Sequence, residues 1–393
     1  MRAHRIRSLS WSGLALLGGL ACGSQADVGG EPGQPVSGLT EAQLGRFLLG
    51  RAVFERRTTP EEGLGPLYNA ERCSDCHGTP ASGGSGPALV LKATRYHDGT
   101  CDRLAAEGGD NIQQHATPLL ARTGIAREAL PPHATDTSRL TGPALFGLGL
   151  IEAIPERAIL AREDSADADG DGISGRAPRT ADGRLARFGR KGEAATVLDF
   201  VETALRFELG LTTPEHPDEE PVNGTPVPKA ADPAPDPEID RRGMELLADY
   251  VRLLAPPRRA LPPPGVERGA VERGEQLFTA AGCAGCHVAQ WQTGSSPVSA
   301  LAHRRIRPYT DLLLHDLGPE LAGVCSASAA PAEYRTAPLW GLRFRERFLH
   351  DGRARSVEEA IARHGGEARA ARDAFLGLPA EQRAWLLRFL DSL

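Results

Sequence analysis

Apolar positions along this chain recur at helical spacing far more often than they alternate. Thr40-x-x-Gln43 has the form of a capping box, and Leu44, Phe47 and Leu48 follow on one face, which predicts a helix opening there. Between Ile239 and Leu254 a stripe of Leu247, Tyr250, Val251 and Leu254 predicts another. Ser356-x-x-Glu359 is a second capping box, with Val357, Ala360, Ile361 and His364 at i, i+3, i+4 and i+7. After Pro379, Trp385, Leu386, Phe389 and Leu390 make one more helical face. No stretch alternates for long, so the expected fold is mainly α. A weak repeat, Gly50-Arg51-Ala52-Val53-Phe54 and Gly274-Glu275-Gln276-Leu277-Phe278, closes two of the helical patterns and suggests two related modules. Thr213 to Asp236, dense in Pro, Glu and Asp, reads as an exposed excursion, and Pro256-Pro257 with Pro262-Pro263-Pro264 as a stiff linker. The main boundary is therefore placed at residue 263.

The amino terminus sets the compartment. Arg2, Arg5 and Arg7 precede an apolar stretch from Gly13 to Ala21, and Cys22 closes it: residues 1–22 read as an export signal too short to span a bilayer. Leu20-Ala21-Cys22-Gly23 resembles the bacterial lipoprotein cleavage site, with Gly19 where Leu is usual. Cys22 is then either the lipidated first residue of the mature chain, which is the expectation, or lost by ordinary cleavage. Either route leads to the periplasm or cell envelope. Residues 23–38, rich in Gly, Pro and Ser, read as a flexible tether. Removal of the three signal arginines takes the formal charge from -6 to -9 and leaves no basic run, which excludes a nucleic-acid partner.

Chemistry enters with a pentapeptide that occurs twice: Cys73-Ser74-Asp75-Cys76-His77 and Cys283-Ala284-Gly285-Cys286-His287. Cys-x-x-Cys-His is the attachment signature of c-type haem, in which both thiols add to the porphyrin vinyl groups and the His becomes the proximal iron ligand. A zinc knuckle would cluster four ligands, whereas these pairs lie far apart in sequence. The expected organisation is a cytochrome c-like haem domain with insertions over 39–262, a second over 263–393, and two covalent haems c. Of the seven Cys, four serve the haems and Cys22 the signal, so Cys101 and Cys325 either pair in an oxidising compartment or stay free. Met1 leaves with the signal and Met244 sits on an apolar stripe as a core residue, so Met ligation of iron is not expected. Asp167-x-Asp169-x-Asp171-Gly172 matches the first half of a calcium loop; its twelfth position is Pro178, so Asp164 or Asp182 would have to complete it.

Asn69 before the first motif, Gly147-Leu148-Gly149-Leu150-Ile151-Glu152-Ala153-Ile154-Pro155-Glu156, Asp169-Gly170-Asp171-Gly172-Ile173-Ser174-Gly175-Arg176 and Phe348-Leu349-His350-Asp351-Gly352-Arg353-Ala354 together resemble the bacterial di-haem oxidoreductase, putative peroxidase family, from about residue 40 to the end. That family is distantly related to di-haem cytochrome c peroxidases and to the methylamine-utilisation di-haem enzyme. The resemblance implies one reactive haem, here on His77, and one electron-relay haem, on His287. In the relatives the relay haem takes its distal ligand, a Met or a Tyr, at a similar distance after the His-Asp-Gly motif. Together with the apolar stripe, this makes His364 the expected sixth ligand, with His350 its rival. Glu208 stands where the family often has an Asp, roughly matching the catalytic Glu of the methylamine-utilisation enzyme, and is the candidate catalytic acid: a carboxylate there can move a proton between the oxygens of peroxide. His97, His115 and His133 are read as surface residues. Trp340 is read as core, or as a bridge between the haems. Two positions depart from the family pattern: Arg190 replaces the usual Trp, and Phe200 lies where a Gln is common. The expected activity is that of a peroxidase-like oxidoreductase taking peroxide or a similar small oxidant and exchanging electrons with a small redox protein, a cytochrome c or cupredoxin. The alternative is a non-enzymatic di-haem electron-transfer cytochrome.

Overall fold

The computed structural model describes residues 28–261 and 268–393. Cys22, the signal and Pro262 to Pro264 lie outside the described residues. The helix Glu41–Glu55 opens on the expected capping box, with Gln43 N donating to Thr40 Oγ1 at 3.2 Å and Thr40 N to Gln43 Oε1 at 3.0 Å. Its buried face is Phe47, Gly50 and Phe54, not the expected Leu44 and Leu48, which are 41% and 54% exposed. The reason is Gly50. A Cβ there would run into the Leu246 carbonyl, so the helix crosses Arg241–Leu253 at closest approach on its glycine side, and this turns the leucines to solvent. Tyr250 fills the crossing, its ring centroid 5.0 Å from Phe47 and 4.9 Å from Phe54. Met244 is buried on the same helix as a core residue, as expected.

The second half repeats the device. Helix Arg268–Ala280 crosses the carboxyl-terminal helix Ala380–Asp391 at Gly274, where a Cβ would meet the Trp385 carbonyl. Phe278 packs against Phe389 at 5.3 Å, and Leu386 and Leu390 complete the apolar face. Each fully buried Phe or Leu contributes about 1.5–3 kcal/mol, so the crossings are principal sources of stability in their halves. The larger core also joins the halves: Ile154, Leu209, Leu254, Trp291, Leu312 and Trp340 belong to one cluster.

Two expectations hold only in part. Helix outweighs strand, but Leu89–His97 is the central strand of an antiparallel sheet with Thr100–Asp102, Asp110–Ile112 and Asp136–Thr141. Ala93 and Thr94 are both fully buried, because the sheet is covered on both faces there, and this erases the alternation that would have marked the strand. The covering comes from the second half: Val324 N donates to Ser138 Oγ at 3.0 Å, Cys325 N to Thr94 Oγ1 at 3.1 Å, and Cys101 and Cys325 form a disulfide. Residues 30–36 of the expected tether do not hang free. Gly30 N and Val36 N donate to the carbonyls of Pro256 and Leu253, both at 2.8 Å, and Val36 fills core space. Among the described residues no helix is long and apolar enough to cross a membrane.

Candidate functional site

The two Cys-x-x-Cys-His segments are held alike. Cys73–Cys76 forms one helical turn and Cys283–Gly285 a tighter one, with all four thiols free. His77 Nδ1 lies 3.2 Å from the Gly84 carbonyl, and His287 Nδ1 lies 2.9 Å from that of Tyr309. A carbonyl only accepts, so each Nδ1 carries the proton; on His287 this leaves Nε2 with a lone pair, as an iron ligand must have, while the His77 ring has the Pro143 carbonyl beside it as well. The repeated aromatics stand beside them, Phe54 at 6.5 Å from the His77 ring and Phe278 at 6.2 Å from that of His287. Burial pushes both imidazoles below their ordinary value, His287 to about 4 with His364 nearby adding to the effect, so both rings are neutral at physiological pH.

Beside the second motif lies a cavity of about 590 Å³, lined by Cys283, Cys286 and His287 and also by His364. That volume is in the range of cofactor pockets. His364 donates from Nδ1 to the Ala360 carbonyl at 2.8 Å, which leaves its Nε2 lone pair available. The residue lies just past the helix Val357–Ala362 rather than within it. His350 is in the same wall, 6% exposed, with its ring stacked on Tyr334 at 4.2 Å. Trp340 lines the cavity too, packed where Gly147 leaves room.

Three arginines decide what the cavity can hold. Arg190, Arg335 and Arg345 line it, and their bonds go to Thr141, to Gly189 and Thr336, and to Pro338, mostly through backbone carbonyls. Among the described residues none of the three pairs with a carboxylate within 4 Å, and Nε of both Arg190 and Arg345 is buried without a hydrogen-bond partner. Burial pushes their pKa values down, Arg190 to about 9 and the other two to about 10. Asp351 opposes that shift at Arg190, and Asp311 and Glu193 oppose it at Arg335, without reversing it, so this half-buried cationic wall suits an anion. A haem brings two propionates; with the thiols, the paired imidazoles and the volume, the residues fit that group.

Near the first motif, but not lined by its Cys or His residues, is a much smaller cleft of about 40 Å³, walled by Gly142, Pro143, Arg190 and Arg345 among others; Gly142 abuts the His77 ring. Arg190 therefore lines both the cleft and the larger cavity. Glu208 ends the helix Val197–Leu209 next to Cys76, whose thiol it raises electrostatically after burial has done so. Its two carboxylate oxygens accept from Asn69 Nδ2 at 2.9 Å and Asn111 Nδ2 at 3.1 Å. Burial raises the Glu208 pKa, and the two amides oppose that without reversing it, which suits a group that exchanges a proton. His97, His115 and His133 are exposed and engage Asp98, Tyr68 and Glu107.

With this geometry in place, the family model described as di-haem oxidoreductase, putative peroxidase matches residues 136–393, about two thirds of the chain. The chain belongs to that family. The match begins downstream of Cys73–His77, whereas the resemblance was expected from about residue 40. No curated sequence matches the chain. Solved structures are similar at low identity: the diheme peroxidase BthA from Burkholderia thailandensis (16% identity over 94% of this chain and 90% of that chain, TM-score 0.43), the hydrazine synthase of Kuenenia stuttgartiensis (14%, 100% and 100%, 0.42), and a MauG-like protein associated with microbial copper homeostasis (15%, 92% and 92%, 0.37).

In this member of the di-haem oxidoreductase family the acidic turn departs from the expected calcium set. Asp164, Asp167 and Asp169 converge, but Asp171 does not join them: its Oδ1 accepts from Ile173 N at 2.8 Å and so closes the turn. Asp182 is engaged elsewhere, with Thr180 and Arg184. Sequence reasoning missed Arg335, Arg345 and His315. His315 sits between Asp311 and Glu367 beside Cys286; burial would lower its pKa, but bonds to Asp311, Cys286 and Glu367 outweigh that and raise it to about 12. The Asp311-x-x-x-His315 spacing was the one available signal.

Proposed function

We propose that this oxidoreductase carries two haems c, bonded through Cys73 and Cys76 and through Cys283 and Cys286, with His77 and His287 as proximal ligands in two cytochrome c-like haem domains. Haem supplies one-electron iron chemistry at each site. On this reading His364 closes the second site, which relays electrons, and the first reacts with peroxide or a similar small oxidant while Glu208 holds and moves a proton. Arg190, Arg335 and Arg345 take haem propionates. The observation that carries the reading is the common setting of the two histidines, each with Nδ1 tied to a carbonyl, a Phe beside it and a glycine-mediated helix crossing behind. Export to the periplasm or cell envelope, with Cys22 as lipid anchor, agrees with the Cys101–Cys325 disulfide, which persists in oxidising compartments. A small cytochrome c or cupredoxin is the proposed electron partner, and calcium the proposed occupant of Asp164, Asp167 and Asp169.

A second reading, an electron-transfer cytochrome without turnover, is favoured by the small cleft at His77 and by Arg190 in its wall. Mass spectrometry of the mature protein, with low-temperature electron paramagnetic resonance, separates the cases. Two added haems with one high-spin and one low-spin signal are expected. Two low-spin signals with no peroxide consumption would give the carrier reading, and a single haem would overturn both.

A further inference from the structure

Glu367 lies three residues beyond His364 and gathers donors from separate segments. Ser174 donates to it from N at 3.1 Å and from Oγ at 2.8 Å, Asp316 from N at 3.2 Å, and His315 from Nδ1 at 2.8 Å. His315 reaches the other way to Asp311, its Nε2 2.8 Å from Oδ2. Both ring nitrogens thus face carboxylates, which only accept, so the ring donates twice and has no lone pair for iron. His315 and Asp311 are 3% and 2% exposed, and His315 and Glu367 both line the second cavity, as does Ile173. The carboxylate–imidazolium–carboxylate chain therefore ties three things together: the loop that follows His364, the strand Leu314–Asp316, and the turn ending at Ser174. A buried pair of this kind costs desolvation and is retained where it fixes one arrangement against others.

We propose that Asp311, His315 and Glu367 form a positioning clamp that holds the His364 loop against the second cavity, and so set how often His364 leaves the second iron. The inference rests on the reading of His364 as sixth ligand. Its consequence is selectivity: a relay site kept closed excludes small oxidants, which then reach only the first site. His364 itself is steadied locally, by Ala360 at Nδ1 and by Arg372, which donates to its carbonyl at 3.1 Å. Those contacts orient the ring; the clamp fixes where the loop sits.

Carbon monoxide binding to the fully reduced holoprotein tests this, because it can enter the second site only when His364 departs. Glu367→Gln keeps shape and an acceptor but loses the charge opposite His315. Loss of one hydrogen bond to a charged partner corresponds to roughly 10- to 100-fold in an equilibrium, so the slow binding phase should accelerate by about that factor toward the rate of His364→Ala. Ser174→Ala, which leaves the ion pair intact, should give a smaller acceleration in the same direction, and decides the matter if Glu367→Gln does not fold. A fast His364→Ala beside clamp variants that bind as slowly as wild type would overturn the clamp and leave the ligand in place. A His364→Ala protein indistinguishable from wild type would remove both.

Discussion

Replacing Cys101 and Cys325 together by Ala should cost about 5 kcal/mol of stability without disturbing either haem site. The bridge closes a loop of 224 residues, and the chain-entropy relation puts the loss of closure at about 5 kcal/mol at 25 °C for a loop that long. The native packing around it should survive, because Cys325 N is held by Thr94 Oγ1 and the neighbouring Val324 N by Ser138 Oγ, neither of which involves sulfur. With a urea dependence of about 3 kcal/mol per M, the unfolding midpoint should fall by about 1.7 M. Since the bridge acts mainly on the unfolded ensemble, most of the change should be in refolding rate rather than unfolding rate. The haem absorbance bands should not move, because Arg335 and Tyr334 reach the cavity through the strand Glu333–Arg335, which is paired to Leu314–Asp316 independently of the bridge. A midpoint within a few tenths of a molar of wild type would refute the reasoning, and altered haem bands would show that the bridge shapes the site.

Two further outcomes follow from buried carboxyl groups. Glu208→Gln should leave haem content and spin state as in wild type and slow peroxide consumption by roughly 10²- to 10⁴-fold, as expected for a lost acid-base group; equal stopped-flow rates would remove Glu208 from the chemistry. Glu128 is 4% exposed, and burial pushes its carboxyl up to about 7 from 4.5, so the folded chain keeps a proton that the unfolded chain releases. Stability should therefore fall as pH rises from about 4.5 to about 7, by about 3 kcal/mol in all, and Glu128→Gln should abolish that decline. Urea midpoints at pH 5 and pH 8 check it; a variant with the same pH dependence as wild type would assign the slope to other groups.

What the sequence disclosed was local. The Thr40 and Ser356 caps, the Met244 stripe and the carboxyl-terminal helix each depend on residues within a turn or two of one another, and spacing reports them directly. The paired pentapeptides and the two Phe residues that precede them were equally plain. The rest is set by partners distant in the chain. Leu44 and Leu48 looked like a buried face until Gly50 brought another helix to the opposite side. Ala93 and Thr94 lost their strand alternation because a segment more than two hundred residues away covers them. Arg335 and Arg345 carry no motif, and only the fold brings them to the cavity wall.

Arg190 brings these observations to one point. It is half-buried, lines the cleft near His77 and the cavity of His287, and is held by the carbonyl and hydroxyl of Thr141 at the end of the sheet insertion. The wall between the two sites is therefore cationic at a position where the resemblance led us to expect an aromatic ring. A guanidinium cannot serve as an aromatic stepping stone for an electron, but it can neutralise a propionate, and the partnerless Nε indicates that the protein alone does not satisfy it. If haems occupy both sites, Trp340 would stand as the aromatic group in the second cavity and Arg190 would hold a propionate. The same reasoning explains why the arginines tolerate burial. On the proposed reading, the desolvation penalty would fall on the chain without its haems and would be offset by propionates at this wall.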